Sequence, residues 1–401
     1  MRLRFYSLLV VTLFTTSTFA QVIKEEAITI GTKLTIHSNT LNENRNILVY
    51  KPSDFDASKK YQVIYLFDAE YLFTSTVGIV KALVNSRKIP PSIIVGVETT
   101  IRVRDYLPPI DGDPKNNHQL WIKNKFPQFG GTKNFSKFLE SELFPYIEDA
   151  YQVLPNRTMI GYSNAGVFGL HTLVTSPNIF TNYLLISPAA WWGDNEIDEN
   201  LATFSKAHNN FSGNLFLTVA NEGRGMYSNA LRIASKLEEV APASFTWGFN
   251  QFENETHEST IYPSIYEGLV KLFDDLNFKV TDNHGKYASI IDIQNYYSSL
   301  SKRYKYEILI PEIVLSDLAD GQFLNQRNSE AIETLKKFTV LYPKSSFSHS
   351  NLGSGYMRTK QFSFAKSHFE KALEIVKKKN ITDHSVIDYL QDMVAAAESK
   401  I

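Results

Sequence analysis

Cysteine is missing from all 401 residues. That absence removes disulfides, thiolate zinc cages, iron–sulfur clusters, cysteine nucleophiles and lipid attachment through a cysteine. Any nucleophile is therefore an oxygen or a nitrogen. A charge excess is missing too: 41 Lys+Arg against 42 Asp+Glu leave a net charge of -1. Such a balance gives no basic footprint for nucleic acid and no polybasic arm for a membrane. Long apolar runs are scarce, the strongest being Phe5 to Phe14, about half of the ~20 residues a membrane span needs. What is plentiful is core material. With 43% hydrophobic and 13% aromatic residues, the chain has enough for two or three domains and is neither disordered nor collagen-like.

The opening MRLRFYSLLVVTLFTTSTFA has two arginines, the apolar run and small residues ending at Ala20, the order of a secretory signal. Cleavage is expected after Ala20, which takes the net charge from -1 to -3 by removing Arg2 and Arg4. An exported protein, periplasmic or secreted, is the expectation, and freedom from thiols suits an oxidising compartment.

Beyond Gln21 comes a β-rich stretch, Ala27–Ile30, Lys33–Ile36 and Arg45–Tyr50. Short, nearly all-apolar runs then alternate with helical patterns. Tyr61–Phe67, Ser92–Val97, Thr158–Ile160, Tyr183–Ile186, Leu215–Val219 and Ser244–Phe249 read as strands. Helices are predicted at Thr76–Asn85, Phe135–Tyr151, from Ala165, and at Ser259–Leu276. Continuous apolar strands alternating with helices predict an α/β fold, a doubly wound parallel sheet covered on both faces.

From about Ser289 the strand signal ends. Leu352-Gly353, Tyr356, Ala365, Phe369 and Ala372 fit the small and large positions of a tetratricopeptide repeat, and stepping back 34 residues lands on Leu318-Ala319, Gln322, Ala331, Leu335 and Phe338. Pro343 closes the first unit, and Thr382–Ser399 is expected as a solvent-facing capping helix. Four parts result: 1–20 for export, a 21–278 α/β unit, a 279–310 helical linker, and a 311–401 all-α tetratricopeptide-like region.

The sharpest local signal is Gly161-Tyr162-Ser163-Asn164-Ala165-Gly166, set between a predicted strand and helix. A nucleophile elbow needs small residues two before and two after its serine, so that a strained turn can pack. The helix starting here directs its N-terminus at Ser163, favouring negative charge there. Serine needs a base, and the base needs an acid; in this architecture the chain order is serine, acid, histidine. Glu222 follows strand Leu215–Val219, and His257 precedes the last helix. Of nine histidines, only His257 has this placement: His37, His118, His171, His208, His284, His349, His368 and His384 lie elsewhere. Asp68, Glu253 and Glu255 are rival acids. An oxyanion hole needs the N–H after the nucleophile, Asn164, and a second from the turn ending an earlier strand, Ala69 or its neighbour. Trp191 and Trp192 either wall a substrate pocket or belong to the core.

These segments resemble the esterase family of α/β hydrolases that includes enterochelin-type siderophore esterases, S-formylglutathione hydrolases and feruloyl esterases. Leu41–Arg45 resembles its opening motif, Tyr65–Ala69 its Leu-Asp-Gly oxyanion turn, and Arg104–Pro108 its Arg-Asp-x-x-Pro loop. Ile186–Trp192 is similar to its Ser-Pro-Ser-x-Trp-Trp segment and Thr256–Ser259 to its Thr-His-x-Ser turn. Ala69 and Ala165 stand where the family usually has glycine, and Ala189 where it has serine. The helical tail resembles that of a subgroup of exported bacterial esterases.

The resemblance and the residues together imply a serine carboxylic-ester hydrolase acting through Ser163, Glu222 and His257, with no metal or organic cofactor. The substrate is a small-molecule or polysaccharide-linked ester. Residues 311–401 are expected to bind a protein partner or a second copy. Two alternatives remain: acyl transfer by the same triad, and a silent hydrolase scaffold whose repeats bind a partner.

Overall fold

The computed structural model describes residues 23–401 apart from positions 54, 58, 111, 115–116, 193–195, 208–211, 224, 277, 282–286, 305 and 379–383. The expected export segment, 1–20, lies outside the described residues. Eight strands form one sheet in the described chain: β1 (Thr32–Ser38), β2 (Glu43–Tyr50), β3 (Tyr61–Phe67), β4 (Ser92–Val97), β5 (Val153–Tyr162), β6 (Asn182–Ile186), β7 (Gly213–Ala220) and β8 (Phe245–Phe252). Their spatial order is β1-β2-β4-β3-β5-β6-β7-β8. The six from β4 to β8 pair in parallel, while β1 and β2 add an antiparallel edge.

Burial explains the two kinds of strand. Every residue of β3, β4, β6 and β7 is buried, as apolar strands covered on both faces must be. Alternate side chains reach opposite layers. Ile64, Leu66, Ile94, Leu184 and Phe216 pack with residues of helices Ala69–Asn85 and Ile261–Leu272. Val63, Tyr65, Phe67, Val95 and Leu217 pack with Phe138, Phe168 and Ile233 on helices Thr132–Phe138, Asn164–Thr175 and Met226–Val240. From β3 the chain crosses to β4 on one side, whereas β5 pairs with its other side. Connections diverge at that point, and in open α/β sheets such a divergence is where ligands bind, outside the carboxyl ends of the strands, here β3 and β5.

Two local expectations change. Ala27–Ile30 is exposed and unpaired in the sheet, with Ile28 93% accessible; strand propensity holds nothing without a neighbour. The helix expected over Phe135–Tyr151 is divided into Thr132–Phe138, a π-helical turn Leu139–Leu143 and Phe144–Ala150. Pro145 has no N–H to give the preceding turn, and the helix widens there.

The C-terminal region is all helix: Ile290–Tyr304, Glu312–Leu324, Asn328–Leu341, Ser346–Arg358, Phe362–Lys378 and His384–Glu398. Helix starts Glu312 and Ser346 are 34 residues apart, as are Asn328 and Phe362. Leu318, Ala319, Gln322, Ala331, Leu335 and Phe338 are buried, and so are Leu352, Gly353, Tyr356, Ala365, Phe369 and Ala372. Thr382, the expected start of the last helix, lies outside the described residues. Ile293, Leu300, Ile310 and Leu315 join the same apolar cluster as Ile64 and Leu269, so the core runs from the sheet into the tail.

Polar contacts fix where the tail attaches. Arg303 Nη2 donates to Asn214 Oδ1 and Thr246 Oγ1, each at 2.9 Å. Asn214 Nδ2 donates to Tyr304 Oη at 2.8 Å, and Gln62 Nε2 to Tyr306 Oη at 3.3 Å. Gln62, Asn214 and Thr246 each occupy the second position of their strand. The tail therefore caps the amino ends of the parallel strands.

Candidate active site

Ser163 closes β5 and caps helix Asn164–Thr175 with φ 56° and ψ -111°, a conformation that side chains with a Cβ rarely hold. Close packing enforces it. A Cβ on Gly161 would lie 2.5 Å from the Ala165 carbonyl oxygen, so only glycine fits two residues before the serine. Ser163 N–H donates to Ile186 O at 2.9 Å, and Ala189 N–H donates to Ser163 O at 3.1 Å. The hydroxyl is thereby lifted out at the carboxyl end of the sheet.

His257 and Glu222 arrive from the loops after β8 and β7. His257 Nε2 is 3.1 Å from Ser163 Oγ, and its Nδ1 is 2.5 Å from Glu222 Oε2. With Nδ1–H directed at a carboxylate, Nε2 offers its lone pair to the serine hydroxyl. The Tyr162 ring lies 4.7 Å from the imidazole, centroid to centroid. Burial pushes the Glu222 carboxyl up, but hydrogen bonds from His257 and Ser187, the imidazole charge and the Ala220 N–H together hold it below its ordinary value.

The rival acids sit otherwise. Asp68 is buried and receives Arg102 Nε and Nη2 at 2.9 and 2.8 Å; burial pushes its carboxyl up against that pairing. Glu253 is exposed, and Glu255 touches the site through its carbonyl, which accepts from Asn221 N–H at 3.2 Å. Arg104 and Asp105 belong to an ion-pair network beneath the site, in which fully buried Arg45 meets Asp105 at 2.7 Å and Glu43 at 2.8 Å.

Asn164 and Ala69 are each the first residue of a helix, where an N–H has no intrahelical acceptor. Asp68 N–H, by contrast, donates to Tyr106 Oη at 3.3 Å. Asp68 holds φ 54°. The methyl of Ala69 is accommodated by Gly96 of β4, whose own Cβ would lie 2.7 Å from it. Trp192 is buried with Leu107, Ile122, Val167 and Ala189, and its Nε1 donates to Pro108 O at 3.0 Å. Trp191 is half-buried beside it.

Three residues escaped the sequence reading. Ser187 donates to Glu222 Oε1. Arg102 joins Asp68 to the elbow, its Nη2 also donating to Tyr162 O at 3.0 Å. Tyr162 packs on the imidazole. Ser187 lay inside a recognised segment without a role, and Arg102 stood two residues before one.

Comparison with known proteins places this geometry in context. The model of the family described as "Putative esterase" matches residues 38–258. Ferri-bacillibactin esterase BesA of Bacillus subtilis is 30% identical over 251 residues, covering 58% of this chain and 86% of that protein. An IroE-like serine hydrolase from Shewanella oneidensis shares the fold with a TM-score of 0.64 at 24% identity, over 77% of this chain and 98% of that one. An uncharacterised protein from Capnocytophaga ochracea does so at 0.63 and 17% identity, over 92% of this chain and 99% of that one, a span that takes in the helical tail.

Proposed function

The chain belongs to the Putative esterase family and is a carboxylic ester hydrolase; from that premise we propose that it is an exported serine esterase working through an acyl-enzyme on Ser163. Ser163 Oγ attacks the ester carbonyl carbon while its proton passes to His257 Nε2. Glu222 holds Nδ1–H and stabilises the imidazolium. The carbonyl oxygen, now an oxyanion, accepts from the N–H groups of Asn164 and Ala69. Collapse expels the alcohol, which takes the proton from Nε2. Water then attacks the acyl-enzyme by the same proton route, releasing the acid and restoring Ser163.

The observation that carries this reading is the contact chain from Ser163 through His257 to Glu222, at 3.1 and 2.5 Å. A fluorophosphonate probe is expected to label the wild type and leave Ser163→Ala unlabelled; labelling of both, or of neither, would overturn the triad. The name of the Bacillus subtilis relative favours a siderophore ester as substrate. A panel of catecholate, feruloyl and acetyl esters checks that, a higher kcat/KM on either of the last two being the contrary result. The tail helices we read as tetratricopeptide-like repeats, residues 311–401, that carry a protein partner or a second copy, and half-buried Trp191 as a wall of the acyl pocket, with Trp192 packed in the core behind it.

A further inference from the structure

Ser187 follows β6 on a left-handed backbone, φ 40°, and is completely buried. That conformation is unfavourable for any residue carrying a Cβ, and glycine would relieve it. A serine held there has something to do with its hydroxyl. The hydroxyl donates to Glu222 Oε1, since an ionised carboxylate only accepts. The same oxygen also receives Ala220 N–H at 3.1 Å, leaving Oε2 for His257 Nδ1 at 2.5 Å. Ser187 N–H is tied to Thr218 O at 2.8 Å, and the flanking residues Ile186 and Ala189 hold the backbone of Ser163.

We propose that Ser187 is a positioning residue for ester hydrolysis: its hydroxyl fixes the Glu222 carboxylate in the orientation that receives His257. The inference rests on the triad reading above. Its physical basis is the length of the acid. Glutamate has a soft terminal torsion beyond its extra methylene, and a carboxylate on that arm can rotate away from an imidazole unless its second oxygen is pinned. Ser187 and Ala220 pin it. One strained turn thus registers the nucleophile through its backbone and the acid through its side chain.

Steady-state kinetics of full-length Ser187→Ala, Ser187→Gly, Glu222→Ala and the Ser187→Ala/Glu222→Ala double variant test this, with melting curves for each. Ser187→Ala is expected to lower kcat about tenfold with KM held within about twofold. Ser187→Gly, which relieves the backbone, should lose as much, and it carries the test if the alanine variant does not fold. Because Ser187 acts through Glu222, its removal should cost nothing further once Glu222 is alanine. A wild-type kcat in Ser187→Ala, recovery of kcat in Ser187→Gly, or an undiminished loss in the Glu222→Ala background would each overturn the proposal. Retention of wild-type kcat by Ser163→Ala or Glu222→Ala would instead overturn the triad reading, and this inference with it.

Discussion

Charge and space at single residues set the chemistry. Glu222 titrates below its ordinary 4.5 in the fold, its hydrogen bonds outweighing burial. A carboxyl with a depressed native pKa contributes stability that is fully present above its unfolded pKa and is lost as pH falls through the native one. Melting temperatures of the wild type should therefore fall more steeply than those of Glu222→Gln between about pH 5 and about pH 3. Parallel curves would contradict the assignment. Space matters as much at Gly96. A methyl there would stand 2.7 Å from the Ala69 Cβ and 3.0 Å from Phe73, so the first turn of the helix bearing the Ala69 N–H has to move. Gly96→Ala should lower kcat by about tenfold or more, loss of a complete oxyanion donor being worth about 100-fold or more. Ala69→Gly in the same chain should recover most of it, which steady-state kinetics would reveal.

Elements decide which groups meet. Strands bring Ser163, Glu222 and His257 to the carboxyl end of the sheet, and helix Ile290–Tyr304 docks at the amino end. The two ends are separated by a strand's length, about 20 Å. Tyr304 Oη donates to Asp275 Oδ2 and receives Asn214 Nδ2, the latter at 2.8 Å. Tyr304→Phe strips both groups of a partner and should cost about 1–3 kcal/mol in urea unfolding while leaving kcat/KM unchanged. A large catalytic defect would mean instead that this contact at the amino end is coupled to the active site across the sheet. Elements also explain what the sequence made legible. The elbow was readable because strand, turn and small residues are contiguous, and Glu222 and His257 followed from chain order. Arg102 and Ser187 were not readable, since their partners Asp68 and Glu222 lie on other loops, 34 and 35 residues away. Strand order alone makes them neighbours.

At the scale of the whole molecule, the sheet and the tail share one apolar cluster, from Ile64 and Leu66 through Ile293 and Leu300 to Leu315 and Leu318. Packing of that kind makes unfolding cooperative across the parts it joins. Urea should abolish esterase activity and the helical far-ultraviolet circular dichroism signal in a single coincident transition. Two separated transitions would show that the tail folds as an independent unit. Among the described residues, no helix is long and apolar enough to cross a membrane.

The sequence by itself determined the chemistry class and the layout along the chain: no thiol, an elbow serine, a carboxylate and a histidine in order after it, and a 34-residue helical register. Each is written in contiguous residues or in fixed spacing, which composition and periodicity expose directly. Tertiary structure decided the rest. It selected Glu222 over Asp68 as the partner of His257 by giving Asp68 to Arg102, left Ala27–Ile30 unpaired, and set the tail at the far end of the strands from Ser163. Those outcomes depend on which loops the sheet brings together, and strand order is a property of the folded chain that no local pattern encodes.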